Sequence, residues 1–207
     1  MTHSAPPAVD AQERLSERLE RWLAGDDTTL GGLVDLFGEK SFAVVFTLLM
    51  ALPALPLPTG GATHVFEIIT ALGALQLIAG RDEVWIPRRW RGLRVGGDGN
   101  GKLMRGLLRL IRALERVSRP RMTRLVHNRV ATVVWGVLVL VFCAGAFFAP
   151  PFTGLDTLPA LGVVLMSLGV LLEDALIVGL GVVVGTGGVV LEITLGRAVV
   201  DWVRGLF

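Results

Sequence analysis

Thr63, His64 and Glu67 lie in otherwise apolar sequence, directly after a proline- and glycine-rich turn. Thr63 and Glu67 are four residues apart and Thr70 follows one turn later, so all three share a helix face, while His64 sits three residues before Glu67. A carboxylate near the centre of a bilayer costs about 2.5–3.5 kcal/mol on insertion scales, so Glu67 needs a partner or water. Two readings follow. In one, His64 and Glu67 form a polar pocket or share a proton; in the other, the turn lies near the membrane surface and both side chains are simply hydrated.

The sequence around these residues is unusual in being broken twice in the same way. The first apolar stretch, Phe42–Gly80, is interrupted at Pro53, Pro56, Pro58, Thr59, Gly60 and Gly61. The second, Val130–Leu172, is interrupted at Pro150, Pro151, Phe152, Thr153 and Gly154. Proline lacks an N–H and clashes with the preceding turn, so each break frees backbone polar groups. Such groups cannot face lipid; they are buried in protein or line a wet cavity. Paired interruptions in two halves point to a membrane-depth site. Candidate binding residues are therefore Pro56, Pro58, Thr59, Gly60, Thr63, His64, Glu67, Thr153 and Gly154. Asp156 follows the second break and is expected to cap the next helix through its side chain.

The membrane reading rests on composition and run length. Hydrophobic residues make up 52% of the 207, and mean hydropathy is +0.63. Val130–Ala149 is charge-free over 20 residues, about 30 Å of helix and so the thickness of a bilayer core. Ala175–Leu191 adds 17 more without a charge. One buried core helix could read this way, but four such runs in a chain this short indicate an integral membrane protein.

Net charge is only +2, yet the charges are segregated. Residues 1–40 carry four Lys/Arg against eight acids, and residues 81–129 carry fourteen against four. By the positive-inside rule the central segment is cytoplasmic. Its juxtamembrane position makes anionic lipid headgroups, rather than nucleic acid, the expected partner, with Trp85, Arg88, Arg89, Trp90 and Arg91 as contacts. The chain begins polar and acidic without the pattern of a signal peptide, so the first transmembrane segment is expected to direct insertion.

Periodicity predicts two amphipathic interfacial helices. Leu15, Leu19, Trp22 and Leu23 line one; Leu103, Leu107, Leu110, Ile111, Leu114 and Val117 line the other, backed by five arginines. Pro120 ends the second. The halves then share an order of amphipathic helix, apolar segment, break and apolar helix, with an echo between Leu72-Gly73-Ala74-Leu75 and Leu168-Gly169-Val170-Leu171. The expected architecture is all-α and polytopic. Two Pro/Gly-broken hairpins, as short spans or re-entrant, form an internal repeat, and an extra helix runs over Ala175–Leu195. Residues 1–27 form a polar tail and amphipathic helix; residues 28–207 form one membrane domain, with repeats near 28–80 and 130–195 flanking the basic segment 81–129.

Four blocks resemble a known family: Gly38-Glu39-Lys40-Ser41-Phe42, then Leu52-Pro53-Ala54-Leu55-Pro56-Leu57-Pro58, Ala74-Leu75-Gln76-Leu77 and Trp85-Ile86-Pro87-Arg88-Arg89. Together they are similar to the ExoD family of bacterial integral membrane proteins linked to exopolysaccharide synthesis, over roughly Leu30 to Leu195. The resemblance implies a multi-pass protein of the inner membrane, in contact with lipids and with polysaccharide-synthesis proteins, and supplies a process rather than a mechanism.

Other motifs lead nowhere. Gly181 and Gly185 form a GxxxG that close helix packing explains. Asp98-Gly99-Asn100-Gly101 lacks the acidic twelfth residue of a calcium loop, where Arg109 stands instead, and reads as a linker. The histidines at 3, 64 and 127 lack metal-ligand spacing, Cys143 is the single cysteine, and no nucleophile setting is present. No enzyme activity, metal or cofactor is expected. The functional readings are movement or positioning of an anionic amphiphilic intermediate, or a scaffold for a polysaccharide synthesis or export complex.

Overall fold

The structure, a computed structural model, describes residues 14–25, 28–55, 63–92, 101–118, 128–149 and 154–204. All regular elements among them are helical: α1 (Leu15–Ala24), α2 (Leu30–Phe37), α3 (Ser41–Ala51), α4 (His64–Ile78), α5 (Arg88–Arg91), α6 (Gly101–Val117), α7 (Arg129–Phe148), α8 (Thr157–Leu171) and α9 (Ala175–Arg204). The sequence places the last helix at Ala175–Leu195; it continues to Arg204. Gly38, at φ +49°, and a 3-10 turn over Gly38–Lys40 separate α2 from α3, so the first apolar segment is not one helix extended back through Leu33.

Two hairpins, α3–α4 and α7–α8, pack reciprocally: α3 lies against α8 and α4 against α7. The second arms correspond closely. Both α4 and α8 have 15 residues, with Thr63 and Asp156 at their N-caps. Both end on a left-handed residue, Gly80 (φ +93°) and Glu173 (φ +54°). The next amide closes each end: Arg81 N–H donates to Gln76 O (3.2 Å) and Asp174 N–H to Gly169 O (2.9 Å). Both termini set α4 and α8 in register 93 residues apart. The Leu-Gly-x-Leu echo is 96 apart and hence slips by nearly one turn. Leucine and glycine recur too often in apolar helices to fix a register.

The core is apolar, and so are the outward faces of α4, α7 and α9. On α4 the buried face holds Thr63, Glu67, Thr70, Ala74 and Leu77, and the exposed face holds Val65, Ile68, Leu72 and Leu75. α7 exposes Val130, Val134, Val137 and Val141; α9 exposes Leu176, Leu180, Val183 and Val190. α7 and the Ala175–Arg197 part of α9 are long and apolar enough to cross a membrane, and only 28% and 22% of their spans are buried. A core helix of a soluble protein would be covered. These surfaces suit hydrocarbon.

The two amphipathic helices form where periodicity places them, but protein covers much of their apolar stripes. α1 and α6 run antiparallel, Ser16 donating to both oxygens of Glu115 (2.9 and 2.6 Å) and Arg112 pairing with Glu20. Leu19, Leu107 and Ile111 are buried against a layer that includes Phe37, Val44 and Leu171. The two hydrophobic stripes lie side by side over α3 and α8.

α9 is held to α8 by glycine. A Cβ on Gly162 would stand 2.4 Å from the Gly185 Cα, and one on Gly181 2.5 Å from the Met166 backbone nitrogen. The Gly181–Gly185 pair is thus a packing device, as its spacing indicates. Gly162→Ala forces backbones apart and should lower the melting temperature of the detergent-solubilised protein, at a cost of about 1–3 kcal/mol. Gly179→Ala, which meets nothing within 4 Å, should leave it unchanged or higher. Equal melting temperatures for the two variants would contradict this contact.

Candidate functional site

The free ends of the two hairpins meet. His64, at the start of α4, packs on Phe147 in the last turn of α7 with ring centroids 4.9 Å apart. Its Nδ1 is 2.8 Å from Glu67 Oε2, and protonated at Nδ1 it donates to that carboxylate. Glu67 is 1% exposed, and its second oxygen, Oε1, has no hydrogen-bond partner among the described residues. The Glu67 side chain is therefore enclosed by protein.

Asp156 behaves differently from its expected role. It is itself helical in conformation (φ −58°, ψ −24°) and makes no side-chain capping hydrogen bond to α8. An N-cap works from extended backbone, where the side chain turns back over the first amides. Asp156 instead lies within electrostatic range of Glu67 and His64.

A third acid comes from α9. Glu192 is half-buried, interacts electrostatically with both Asp156 and Glu67, and leaves Oε1 unpartnered among the described residues. Gly145 of α7 makes room for it: a Cβ there would stand 3.1 Å from Glu192 Oε2 and 2.8 Å from Val189 Cγ2. Sequence reading passed over Glu192, since it lies beyond the charge-free run Ala175–Leu191 and far from either break. The available signal was an acid on an apolar helix about five turns in, which in a membrane needs a counterpart.

Of the residues singled out from sequence, Thr63, His64 and Glu67 are brought together here. Thr63 is buried on the same face as Glu67. Gly154, at φ +69°, forms the turn before α8 and has open space around its Cα. Pro56, Pro58, Thr59, Gly60 and Thr153 lie outside the described residues.

A second polar region occupies the opposite end of the bundle, near the starts of α3 and α7. An open cleft of about 250 Å³ is lined there by Lys40, Arg81, Asp82, Arg129, Thr132 and Trp135, among others. Two of its cations close helix C-termini in matching fashion. Arg129 donates to Leu77 O (3.4 Å) and Ile78 O (2.6 Å) of α4. Lys40, just before α3, reaches Leu171 O of α8 (3.5 Å) and pairs with Glu173 (2.8 Å). Positive charge at a helix C-terminus is favourable.

Three of the sequence blocks noted above converge on this end. Ser41 Oγ accepts from Val84 N–H (3.3 Å). The Gln76 amide clasps Trp85, accepting from its N–H (2.9 Å) and donating to its carbonyl (3.4 Å). Of the expected headgroup residues, Trp85 is well exposed, while Arg91 is engaged by both oxygens of Asp35 at 2.7 Å and packs over Gly31. Arg88 and Arg89 are exposed on α5; the Trp90 side chain lies outside the described residues.

The family described as "Exopolysaccharide synthesis, ExoD" matches residues 12–194, which takes in α1 as well as the bundle. The chain is 28% identical over 174 residues to an uncharacterized protein of Synechocystis sp. PCC 6803, covering 82% of this chain and 81% of the relative. It is 27% identical over 179 residues to Protein ExoD of Rhizobium meliloti, covering 83% and 73%. No solved structure matches.

The single cysteine offers a probe of the acidic site. Cys143 is 2% exposed, on α7 beside the Gly145–Glu192 contact. In folded protein it should react slowly with a membrane-permeant maleimide, and Gly145→Val, by prising α9 away, should speed labelling by about tenfold or more. Equal rates in the two proteins would mean that α9 does not close the site.

Proposed function

The chain belongs to the ExoD family of exopolysaccharide-synthesis proteins, and from that premise we propose that it is a multi-pass protein of a bacterial inner membrane that positions or moves a phosphate-bearing amphiphilic intermediate. The observation that carries this reading is the inverted polarity of α4, with Glu67 and Thr70 buried and Val65, Ile68, Leu72 and Leu75 exposed. A protein that turns apolar residues to its surroundings and acids to its interior is built around a polar transaction at membrane depth.

The two hairpins are read as an internal repeat, supported by the 93-residue register of α4 and α8 and by Lys40 and Arg129 closing each other's partner helices. Exchange of the hairpins maps α3 on α7 and α4 on α8 with the same direction, which makes the repeats parallel. The first hairpin, of 11 and 15 residues, extends about 16 and 22 Å and so enters and leaves on one side without crossing fully.

The intermediate's anionic end belongs at the basal cleft rather than at the breaks. Three carboxylates at the hairpin tips would repel it. The cleft offers Lys40, Arg81 and Arg129 to a phosphate and Asp82 and Glu39 to sugar hydroxyls, above the indole of Trp135. On this reading the chain acts on the process without catalysis of its own. The scaffold alternative draws on the outer face of α9, where Gly179 and Gly187 meet nothing within 4 Å and leave room for another helix.

Two outcomes are expected. Glu67→Gln and Arg81→Gln should each lower polysaccharide output several-fold in a producing cell at unchanged membrane levels of the protein; normal output from both would leave the scaffold reading in place. In a Cys143→Ala background, Gly99→Cys should label with an impermeant reagent only after the cells are opened, because fourteen Lys/Arg in residues 81–129 are costly to translocate. Labelling of intact cells would reverse the orientation and put the cleft outside.

A further inference from the structure

We propose that Glu67, Asp156 and Glu192, with His64, form a proton-binding site at the hairpin tips that communicates with the basal cleft through the core. The proposal rests on the membrane reading above and deepens it, since it assigns a coupling role to one end of the molecule and a substrate role to the other.

The geometry of the cluster is the first support. Three carboxylates from α4, the turn before α8, and α9 lie within mutual electrostatic range, and His64 is the cation-forming group among them. Cys143 of α7 also faces Glu67. Glu67 is enclosed by protein while Asp156 and Glu192 are half-buried, so three negative charges here repel one another with at most one imidazolium to offset them. The site must bind a counter-charge, and the smallest that fits is a proton on Glu67 Oε1, the buried oxygen left unpartnered while Oε2 faces His64. Taking a proton from water there converts the carboxylate to a neutral acid and leaves hydroxide to the solvent.

The second support is independent of the cluster. Thr70, one turn below Glu67 on the same face, is fully buried with Oγ1 unpartnered. Trp135, 9% exposed and lining the basal cleft, leaves Nε1 unpartnered as well. Counted along the helices, Glu67 lies about 16 Å, Thr70 about 12 Å and Trp135 about 9 Å above the basal ends of their own elements. Ala74 and Ile78 of α4 pack against Gly136, next to Trp135, whose indole lies edge-on to Phe46 with ring centroids 5.6 Å apart, and Phe46 in turn packs on Gly73 of α4. Buried polar atoms without protein partners are the places where internal water is held. Thr70 on α4 and Trp135 on α7 stand at intermediate heights between Glu67 and the cleft, with Phe46 beside them.

Infrared difference spectroscopy of the full-length protein in detergent, between about pH 5 and pH 9, tests the site without any substrate. Wild type should show the carbonyl stretch of a protonated carboxylic acid that persists at neutral pH, lost in Glu67→Gln and displaced in Glu192→Gln. Asp35→Asn, whose carboxylate is exposed and paired with Arg91, should leave it unchanged. The band should move to lower frequency promptly in D2O if water reaches Glu67. Absence of the band, or a band indifferent to both glutamate substitutions, overturns the proton site; a band that resists D2O overturns the path. Glu192→Gln keeps the test alive should Glu67→Gln fail to fold. A band that behaves as expected beside normal polysaccharide output in Glu67→Gln cells would defeat the functional reading and spare the proton site.

Discussion

Backbone-to-backbone contact between α8 and α9 is the constraint from which the rest of the arrangement follows. Gly162, Gly181 and Gly185 let the two helices approach until Cα meets Cα, and Gly188 brings α9 against Leu158 and Pro159. Among lipid tails there is little hydrophobic gain from bringing apolar helices together, so this van der Waals contact at close range supplies the association. It also fixes the rotation of α9. With Gly181 and Gly188 turned toward α8 and Gly185 toward Phe142 of α7, Glu192 follows one turn later and comes over Gly145 of α7. An acid that would be prohibitive on the lipid face is thereby placed beside two others at the hairpin tips.

The same contact explains the division of labour between the bundle's two sides. α8 is buried over nearly its whole length, enclosed by α3, α7 and α9, whereas α4, α7 and α9 each keep an apolar outer face. α1 and α6 close the remaining side around Leu19, Leu107 and Ile111 and present charge outward. A chain of this length cannot surround every helix, and it spends its charged amphipathic pair over α3 and α8, where the hairpins are shortest and the surroundings nearest water.

Much of this was legible from residues alone. The i, i+4, i+7 placement of Thr63, Glu67 and Thr70 named the buried face of α4, because helix geometry leaves no other arrangement for a carboxylate in apolar sequence. The two breaks mark where α3 and α7 end and α4 and α8 have yet to begin, because proline and glycine act locally. What stayed hidden was long-range. Glu192 gains its meaning from Gly145 and Asp156, which are 47 and 36 residues away in sequence. Asp156 looked like a cap because its residue type and position fit one, but the conformation of the turn after Gly154 decided otherwise. The 93-residue correspondence of α4 and α8 shows in their helix ends, Gly80 and Glu173, rather than in the more conspicuous leucine-glycine echo.

The two polar ends of the molecule pose one problem with one physical solution. A cleft of mixed charge at the base and an acidic site at the tips are about the thickness of a leaflet apart, and between them the Thr70 hydroxyl of α4 and the Trp135 indole of α7 lack partners among the described residues. If the two ends were independent, Thr70 would be better replaced by an apolar residue, since a buried hydroxyl without a hydrogen bond costs roughly 1–3 kcal/mol by mutational data. The same holds for Ser167, fully buried on α8 with Oγ unpartnered. Stability alone gives no reason to keep either hydroxyl in the core. A core that carries water or a proton to the proposed carboxylate site gives one for both, and on α4 the inward polar groups are Thr63, Glu67 and Thr70, with Ala74 and Leu77 beneath them.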